Sequence, residues 1–383
     1  MATSAVTTLF EWDTIQSADS TEWCPLAPFQ TIFVCATYQI EKGENEGSDA
    51  SAPPTSRHGR IYVFEISLSS KLEPHQVLEL PAVLDMKWAQ SHICGKIILG
   101  VVTATAKLLI FELKEDKTLE QISEADVQGN GTSSKEVLAL SLDWSCAKPS
   151  IDKSEVKEAS VVVSDSHGGA NVFHLSDKFE LMLLKRWQGH EYEAWIAAFN
   201  YWEPSLVFSG GDDCTMKGWD IRTRLDTPTF VNRSHDAGVT SIHSNPFIEN
   251  ILVSGSYDEF LRIWDLRKMK SPLYTCKMSG GVWRVKWNPF TFDSILTACM
   301  HGGFHVVDCK NALKGTGEPN LLASYNNHDS IAYGADWSHL DGEFIKTIFT
   351  KVKFGQSSKF EYLSLVSTCS FYDHKLCVSA FQF

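Results

Sequence analysis

Few residues of this 383-residue chain have the type and spacing that chemistry asks for. No GxSxG nucleophile elbow and no HExxH pair occurs. The ten cysteines form no CxxC pair, so neither a zinc knuckle nor a dithiol redox site is encoded. His301 and His305 in HGGFH stand four apart, a spacing that converges only on a helix, whereas here a glycine turn and a strand intervene. No metal site and no cofactor is expected. What remains is His301 in ACMHGGF and His374 in FYDH, whose ordinary pKa of about 6.5 suits proton transfer. Beside them stand Trp195, Trp283, Tyr333, Glu193 and Asp19, which recur at matching points of an internal repeat.

The repeat is clearest in FSGGDDCTMKGWDIR (208–222) and VSGSYDEFLRIWDLR (253–267). Each has a β-rich run, a Gly/Asp turn, a second run and a Trp-Asp ending, the inner hairpin of a WD-repeat blade. Ser209, Asp213 and Trp219 match Ser254, Asp258 and Trp264, and His190 of QGH matches His235 of RSH. Such buried polar groups need partners, and a His-Asp-Ser-Trp set that bonds internally gives His190, Asp213, Trp219, His235, Asp258 and Trp264 a structural role. A second periodicity ends each innermost strand in an aromatic: Trp23, Trp88, Trp144, Phe199, Trp287 and Trp337, with His243 in the remaining blade. These positions are spaced by 65, 56, 55, 44, 44 and 50 residues. Uninterrupted repeats run about 40–45, so the longer gaps require insertions.

The expected fold is therefore all-β, a seven-bladed WD-repeat β-propeller occupying 1–383 as a single domain. Its loop insertions fall near 41–60, 146–158 and 339–362, the last with lysines at 346, 351, 353 and 359. The last blade lacks an outer strand, which the N-terminal TTLFEWD (7–13) can supply, closing the ring. The net charge of -13 disfavours a phosphate-backbone binder and suits a cationic ligand or a basic protein. Cysteines inside apolar runs read as buried free thiols of a reducing compartment. With no signal peptide and no apolar stretch of about 18 residues, the expected setting is a cytoplasmic monomer with no membrane and no direct nucleic-acid contact.

Aligning the blades puts Asp19, Leu84, Leu140, Trp195, Thr240, Trp283 and Tyr333 at one equivalent point near a channel mouth, with Glu193 two residues before Trp195. Three aromatics with carboxylates would hold a quaternary ammonium by cation–π attraction; the same rings could equally fill the opening or grip a protein chain.

Several stretches exceed the generic repeat: STEWCPL (20–26), EAWIAAFNYW (193–202), GGVWRVKW (280–287), ACMHGGF (298–304), YGADWS (333–338) and TCSFYDH (368–374). On these the chain resembles the diphthine methyl ester hydrolases of diphthamide biosynthesis. It departs from them at Ser379, where the family carries Trp in the last blade. The resemblance implies a protein substrate, translation elongation factor 2, and hydrolysis of the methyl ester on its trimethylammonium-bearing diphthine intermediate, yielding methanol. For that reaction His301, Glu193 and His374 are the candidate catalytic residues, and Trp195, Trp283, Tyr333 and Asp19 the candidate substrate-binding residues. Gly280, Gly281, Gly302 and Gly303 offer backbone N–H groups for an oxyanion. His301 also fits the structural Asp position of its blade, and both readings stand. The alternative function is a non-catalytic adaptor: Trp219-Asp-Ile-Arg222 and Trp264-Asp-Leu-Arg267 resemble the docking motif of cullin–RING ubiquitin-ligase substrate receptors.

Overall fold

Short β-rich runs punctuated by Gly/Asp turns can only bury their apolar faces by stacking on one another. A computed structural model describes residues 5–41, 56–68, 71–127, 136–146, 155–353 and 363–382. Within them lie seven antiparallel sheets, six of four strands and one of five. Blades 1 to 7 begin with the innermost strands Ala18–Trp23, Val83–Trp88, Ala139–Trp144, Ile196–Phe199, Val239–Ser244, Arg284–Trp287 and Ala332–Trp337. This is the seven-bladed propeller expected. Ala5–Asp13 pairs antiparallel with Lys375–Gln382, from Ala5 opposite Gln382 to Asp13 opposite Lys375, and completes the last blade as expected.

The core is not one mass but seven, each between two neighbouring blades. Leu142 and Trp144 pack with Ile98 and Val102 across one seam, and Trp337 and Val366 with Leu296 and Phe304 across another. Glycines of the repeat allow this approach: a Cβ on Gly255 would stand 2.5 Å from Cγ1 of Val282 in the next blade. The insertions differ from their expected bounds. Ser56–Glu65 is already a strand of blade 1, paired with Ile32–Thr37, because SRHGRIYVFE carries the β-branched and aromatic run that a pleated surface favours. Residues 42–55 of the first insertion and 147–154 of the second lie outside the described residues. In the third, Gly342–Lys353 is a helix that buries Ile345 and Ile348 against blades 7 and 1, while Lys346 pairs with Glu343. Lys359 lies outside the described residues.

The expected polar sets form in blades 4 and 5. Trp219 Nε1 donates to Ser209 Oγ at 2.8 Å, Ser209 Oγ sits 2.8 Å from His190 Nε2, and His190 Nδ1 lies 2.9 Å from Asp213. Trp264, Ser254, His235 and Asp258 repeat this at 2.8, 2.8 and 3.0 Å. Burial pushes Asp213 up, but His190, Thr215 and Lys217 hold its carboxyl far below the usual range. The last blade, with Ser379 in the Trp position, keeps a cluster by another route: His328 bonds Ser370 and Thr368, and Ser370 donates to Asp373.

Each innermost strand is also a sheet edge facing the channel, with donors that need acceptors. Side chains of the preceding blade supply them. Asp85 accepts from Leu142 N at 3.1 Å, Asp143 from Phe199 N at 2.8 Å, His243 from Trp287 N at 3.2 Å and Asp336 from Trp23 N at 2.8 Å. The strand-ending indoles return the bond: Trp88, Trp144, Trp287 and Trp337 donate to carbonyls of Glu22, Lys87, His243 and Lys286. Asp143 also receives the Tyr201 hydroxyl at 3.2 Å and pairs with Lys87 at 3.4 Å. Replacing Asp143 by Ala should therefore strand an N–H, a hydroxyl and a buried ammonium together. A loss of roughly 3–5 kcal/mol in urea unfolding is expected, and a loss below ~1 kcal/mol, no more than an exposed pair gives, would show that the ring does not depend on this carboxylate.

Candidate functional site

The equivalent point picked out by the repeat has a backbone cause. In blades 1, 2, 3, 5 and 7 the pairing of the innermost strand slips by one residue there, leaving Asp19, Leu84, Leu140, Thr240 and Tyr333 as the extra residue of a β-bulge. A bulge re-aims its side chain, here away from the sheet and toward one channel mouth. In blades 4 and 6 the matching Trp195 and Trp283 stand just before the strand.

Trp195, Trp283 and Tyr333 do meet. Trp195 and Trp283 have ring centroids 5.7 Å apart, and Trp283 and Tyr333 4.7 Å apart. The arc is longer than the repeat alone revealed. Tyr257 lies 6.1 Å from Trp195 and 5.9 Å from Trp283, and Phe371 lies 5.1 Å from Tyr333. Phe371 then reaches Tyr372 at 5.0 Å and Tyr38 at 6.2 Å. All but Tyr372, which is exposed, are half-buried. Tyr257 and Phe371 come from the turns between second and third strands, which share this face with the bulges. The signal for Tyr257 was present: Asp212, Tyr257, Met300 and Tyr372 each precede the turn position held by Asp213, Asp258, His301 and Asp373, with Phe371 one residue further back.

Carboxylates flank the rings. Trp195 Nε1 donates to Asp212 Oδ1 at 3.1 Å, while Trp283 Nε1 is buried without a partner. Burial, then Asp212 and Glu193, push the Tyr257 hydroxyl up, so it stays neutral. Glu193 is half-buried beside that hydroxyl, and its carbonyl receives Asp212 N at 2.9 Å. Asp19 is only 5% exposed, and burial, offset by Arg284 and reinforced by Asp85, pushes its carboxyl up to about 8. Its charge reaches Tyr333, Tyr38 and Arg284.

Neither His301 nor His374 has a ring contact with this arc among the described residues. His301 is exposed at its turn, and no described residue hydrogen-bonds its ring. The structural bonds of that blade are made instead by His305, which contacts Ser279 at 2.6 Å, Ser324 at 2.9 Å and the Gly302 carbonyl at 2.9 Å. His301 thus does not replace the structural Asp, because with Ser279 in the histidine position the set is rebuilt around position 305. Gly302 N and Gly303 N are spent in that turn on Cys299 O and Met300 O, which removes them as oxyanion donors. His374 takes φ 56° in the last turn, and its carbonyl receives Thr14 N at 2.9 Å. Its ring makes no bond with a described residue. Cys299 is buried, and burial pushes its thiol up to about 12, which disables it as a nucleophile. All ten cysteines are unpaired. Arg222 and Arg267 of the Trp-Asp-x-Arg motifs fold back on their own Asp220 and Asp265, at 2.9 and 2.7 Å.

The opposite mouth of the channel opens into a cavity of about 660 Å³, lined by Lys87, Asp143, Tyr201, His243, Lys286 and Asp336 among others. Most of these charges pair with one another, Lys286 with Glu22 and Asp336 and Lys87 with Asp143, while Arg284, which also lines the cavity, pairs with Asp85. Among the described residues no helix is long and apolar enough to cross a membrane.

Comparison with known proteins bears on fold and family. The family model for the WD domain, G-beta repeat, matches residues 226–265. Diphthine methyltransferase of Mus musculus is 39% identical over 336 residues, covering 86% of this chain and 69% of its own. That of Homo sapiens is 38% identical, covering 86% and 74%. The diphthine methyltransferase homolog of Dictyostelium discoideum is 38% identical over 395 residues, covering 94% and 96%. A chain in a crystal structure of a mitotic checkpoint complex superposes with a TM-score of 0.66 at 14% identity, covering all of this chain and 94% of that one, a likeness of fold alone.

Stacked and tilted rings flanked by carboxylates suit a cation that cannot donate hydrogen bonds. Tetramethylammonium should therefore perturb the tryptophan fluorescence of the protein. Trp283→Ala should weaken that binding about tenfold, in keeping with the ~1–2 kcal/mol of a desolvated cation–π contact. An unchanged titration curve would remove the arc as a cation site.

Proposed function

Because this chain belongs to the diphthine methyltransferase family, we propose that it acts in diphthamide synthesis, hydrolysing the methyl ester of the methylated diphthine intermediate on elongation factor 2 to diphthine and methanol. The observation that carries the reading is the arc Trp195–Tyr257–Trp283–Tyr333–Phe371 at one channel mouth. Its chemistry matches the trimethylammonium of that intermediate, which offers no N–H and so is best held by ring faces. The acidic groups Asp212 and Glu193 beside the arc add long-range attraction for the same charge.

Ester hydrolysis asks for a proton acceptor to activate water and for donors at the developing oxyanion. A half-buried mouth lined by rings provides a low-dielectric setting in which such groups act strongly. The substrate side chain would enter with its ammonium on the aromatic arc and its ester below, toward the channel.

The deciding experiment is a single-turnover incubation of purified protein with elongation factor 2 carrying the methyl-esterified intermediate, the modified peptide being weighed by mass spectrometry. Loss of one CH₂ with release of methanol is the expected outcome. Gain of a methyl group when a methyl donor is supplied would make the enzyme a transferase, as its relatives' name states. Binding with no change in mass would make the propeller a docking protein.

A further inference from the structure

We infer that Asp19 is the proton-transferring residue of this hydrolysis, with the neighbouring Arg284 guanidinium stabilising the oxyanion. The inference rests on the hydrolase reading above and adds to it the residues that handle the reacting atoms.

Most buried carboxylates of the channel are already spent. Asp85 accepts Leu142 N, Asp143 accepts Phe199 N and the Tyr201 hydroxyl, Asp336 accepts Trp23 N, and Glu22 binds Lys286. Each of these carboxylates holds two blades together and cannot leave its partner. Asp19 is different: it is 5% exposed, yet its carboxyl accepts no hydrogen bond from a described residue. Its carboxyl oxygens, unlike Asp85 Oδ1, are not sealed from solvent without a hydrogen-bond partner, and a group that exchanges protons with water needs that access. Asp19 is also the bulge residue of blade 1, in the same layer as Tyr333, Trp283 and Trp195. The backbone therefore aims it at the mouth where the aromatic arc lies, and no seam bond would be lost by moving its proton.

Arg284 stands beside it. It is 8% exposed and follows Trp283 of the arc. Its Nη1 lies 3.0 Å from Asp85 Oδ1, an ion pair that supplies that buried carboxylate with its cation. A guanidinium carries five N–H donors, so the pair with Asp85 leaves others to meet an oxyanion. Asp19, with no hydrogen bond from a described residue, thus faces a guanidinium anchored on Asp85.

The groups that face Asp19 are Arg284 from blade 6, Asp85 from blade 2, Tyr333 and Cys369 from blade 7 and Tyr38 from its own blade. Burial outweighs Arg284 and places the carboxyl near about 8, close to the value at which one group serves as both base and acid near neutrality. In the reaction the Asp19 carboxylate takes a proton from water as the water oxygen bonds to the ester carbon. The carbonyl electron pair moves onto oxygen and is met by Arg284. Collapse of the tetrahedral species breaks the bond to the methoxy oxygen, which receives the proton from Asp19 and leaves as methanol. The product acid then loses its own proton to solvent.

The test is steady-state turnover of the methyl-esterified elongation factor by the full chain, wild type against Asp19→Asn and Asp19→Glu, with folding checked by thermal unfolding. The wild-type rate should rise with pH and level off above about 8, because the unprotonated carboxylate is required. Asp19→Asn should lower kcat by about 10²–10⁴-fold, leave KM unchanged because the aromatic arc is intact, and abolish the pH limb. Asp19→Glu should restore part of the rate together with a displaced limb. Turnover by Asp19→Asn at the wild-type rate, or a surviving pH limb, would overturn the assignment while leaving the hydrolase reading standing. A wild-type protein that releases no methanol would overturn both.

Discussion

Every innermost strand of this protein is an unpaired sheet edge turned toward a common channel, and the need to satisfy those edges shapes the rest of the molecule. A buried N–H without an acceptor costs about 1–3 kcal/mol, and a ring of seven blades multiplies that demand. Water in the channel could meet it but would not tie one blade to the next. The chain meets it with side chains from the preceding blade: Asp85, Asp143, His243 and Asp336 accept backbone N–H groups, and strand-ending indoles donate back to backbone carbonyls. These bonds explain why a hydrophobic architecture carries so many buried charges. Lys87 and Lys286 then follow, because carboxylates buried for stitching need cations of their own.

The same constraint explains where chemistry can be placed. Side chains low in the channel are committed to closing the ring, and replacing them costs stability. The bulge that opens most innermost strands sets one residue apart from that strand's ladder. At this position the chain carries Asp19, Leu84, Leu140, Trp195, Thr240, Trp283 and Tyr333, and of the bulge residues Thr240 still ties its blade to the next by donating to the Val282 carbonyl. Side-chain type varies widely here from blade to blade, and the aromatic arc is assembled there and in the adjacent turns.

How much of this was legible in the sequence depends on how local the cause was. The blade count, the His190 and His235 sets and closure by the N-terminal strand were readable, because each rests on a pattern within one repeat. Trp195, Trp283 and Tyr333 were brought together by counting from the same patterns. Tyr257, Phe371 and Asp212 were not, although Tyr257 and Asp212 stand one residue, and Phe371 two, before the turn aspartates. Seeing them required knowing that the second-to-third-strand turns lean over the same mouth as the bulges. His301 matched Asp213 and Asp258 by count, but Ser279 had replaced the histidine partner a strand earlier, so the set re-formed on His305. The strand Ser56–Glu65 was hidden by the polar start of its own sequence, SRHGR, which reads as loop until the apolar half is paired with Ile32–Thr37.

An aromatic site has a consequence for the groups around it. A cation held by hydrogen bonds would take up the nearest carboxylates, and they would no longer be free to exchange protons. A cation held by ring faces takes up none. Trp195, Trp283 and Tyr333 can therefore carry the binding of a quaternary ammonium while Asp19, in the same layer, keeps its lone pairs. The neighbouring tyrosine hydroxyls do not compete for its proton, since burial drives Tyr257 and Tyr333 upward and keeps them neutral. On the proposed reading, binding and proton transfer are separable functions of one mouth, carried by rings and by a carboxyl, with the stitched channel beneath to hold the two in register.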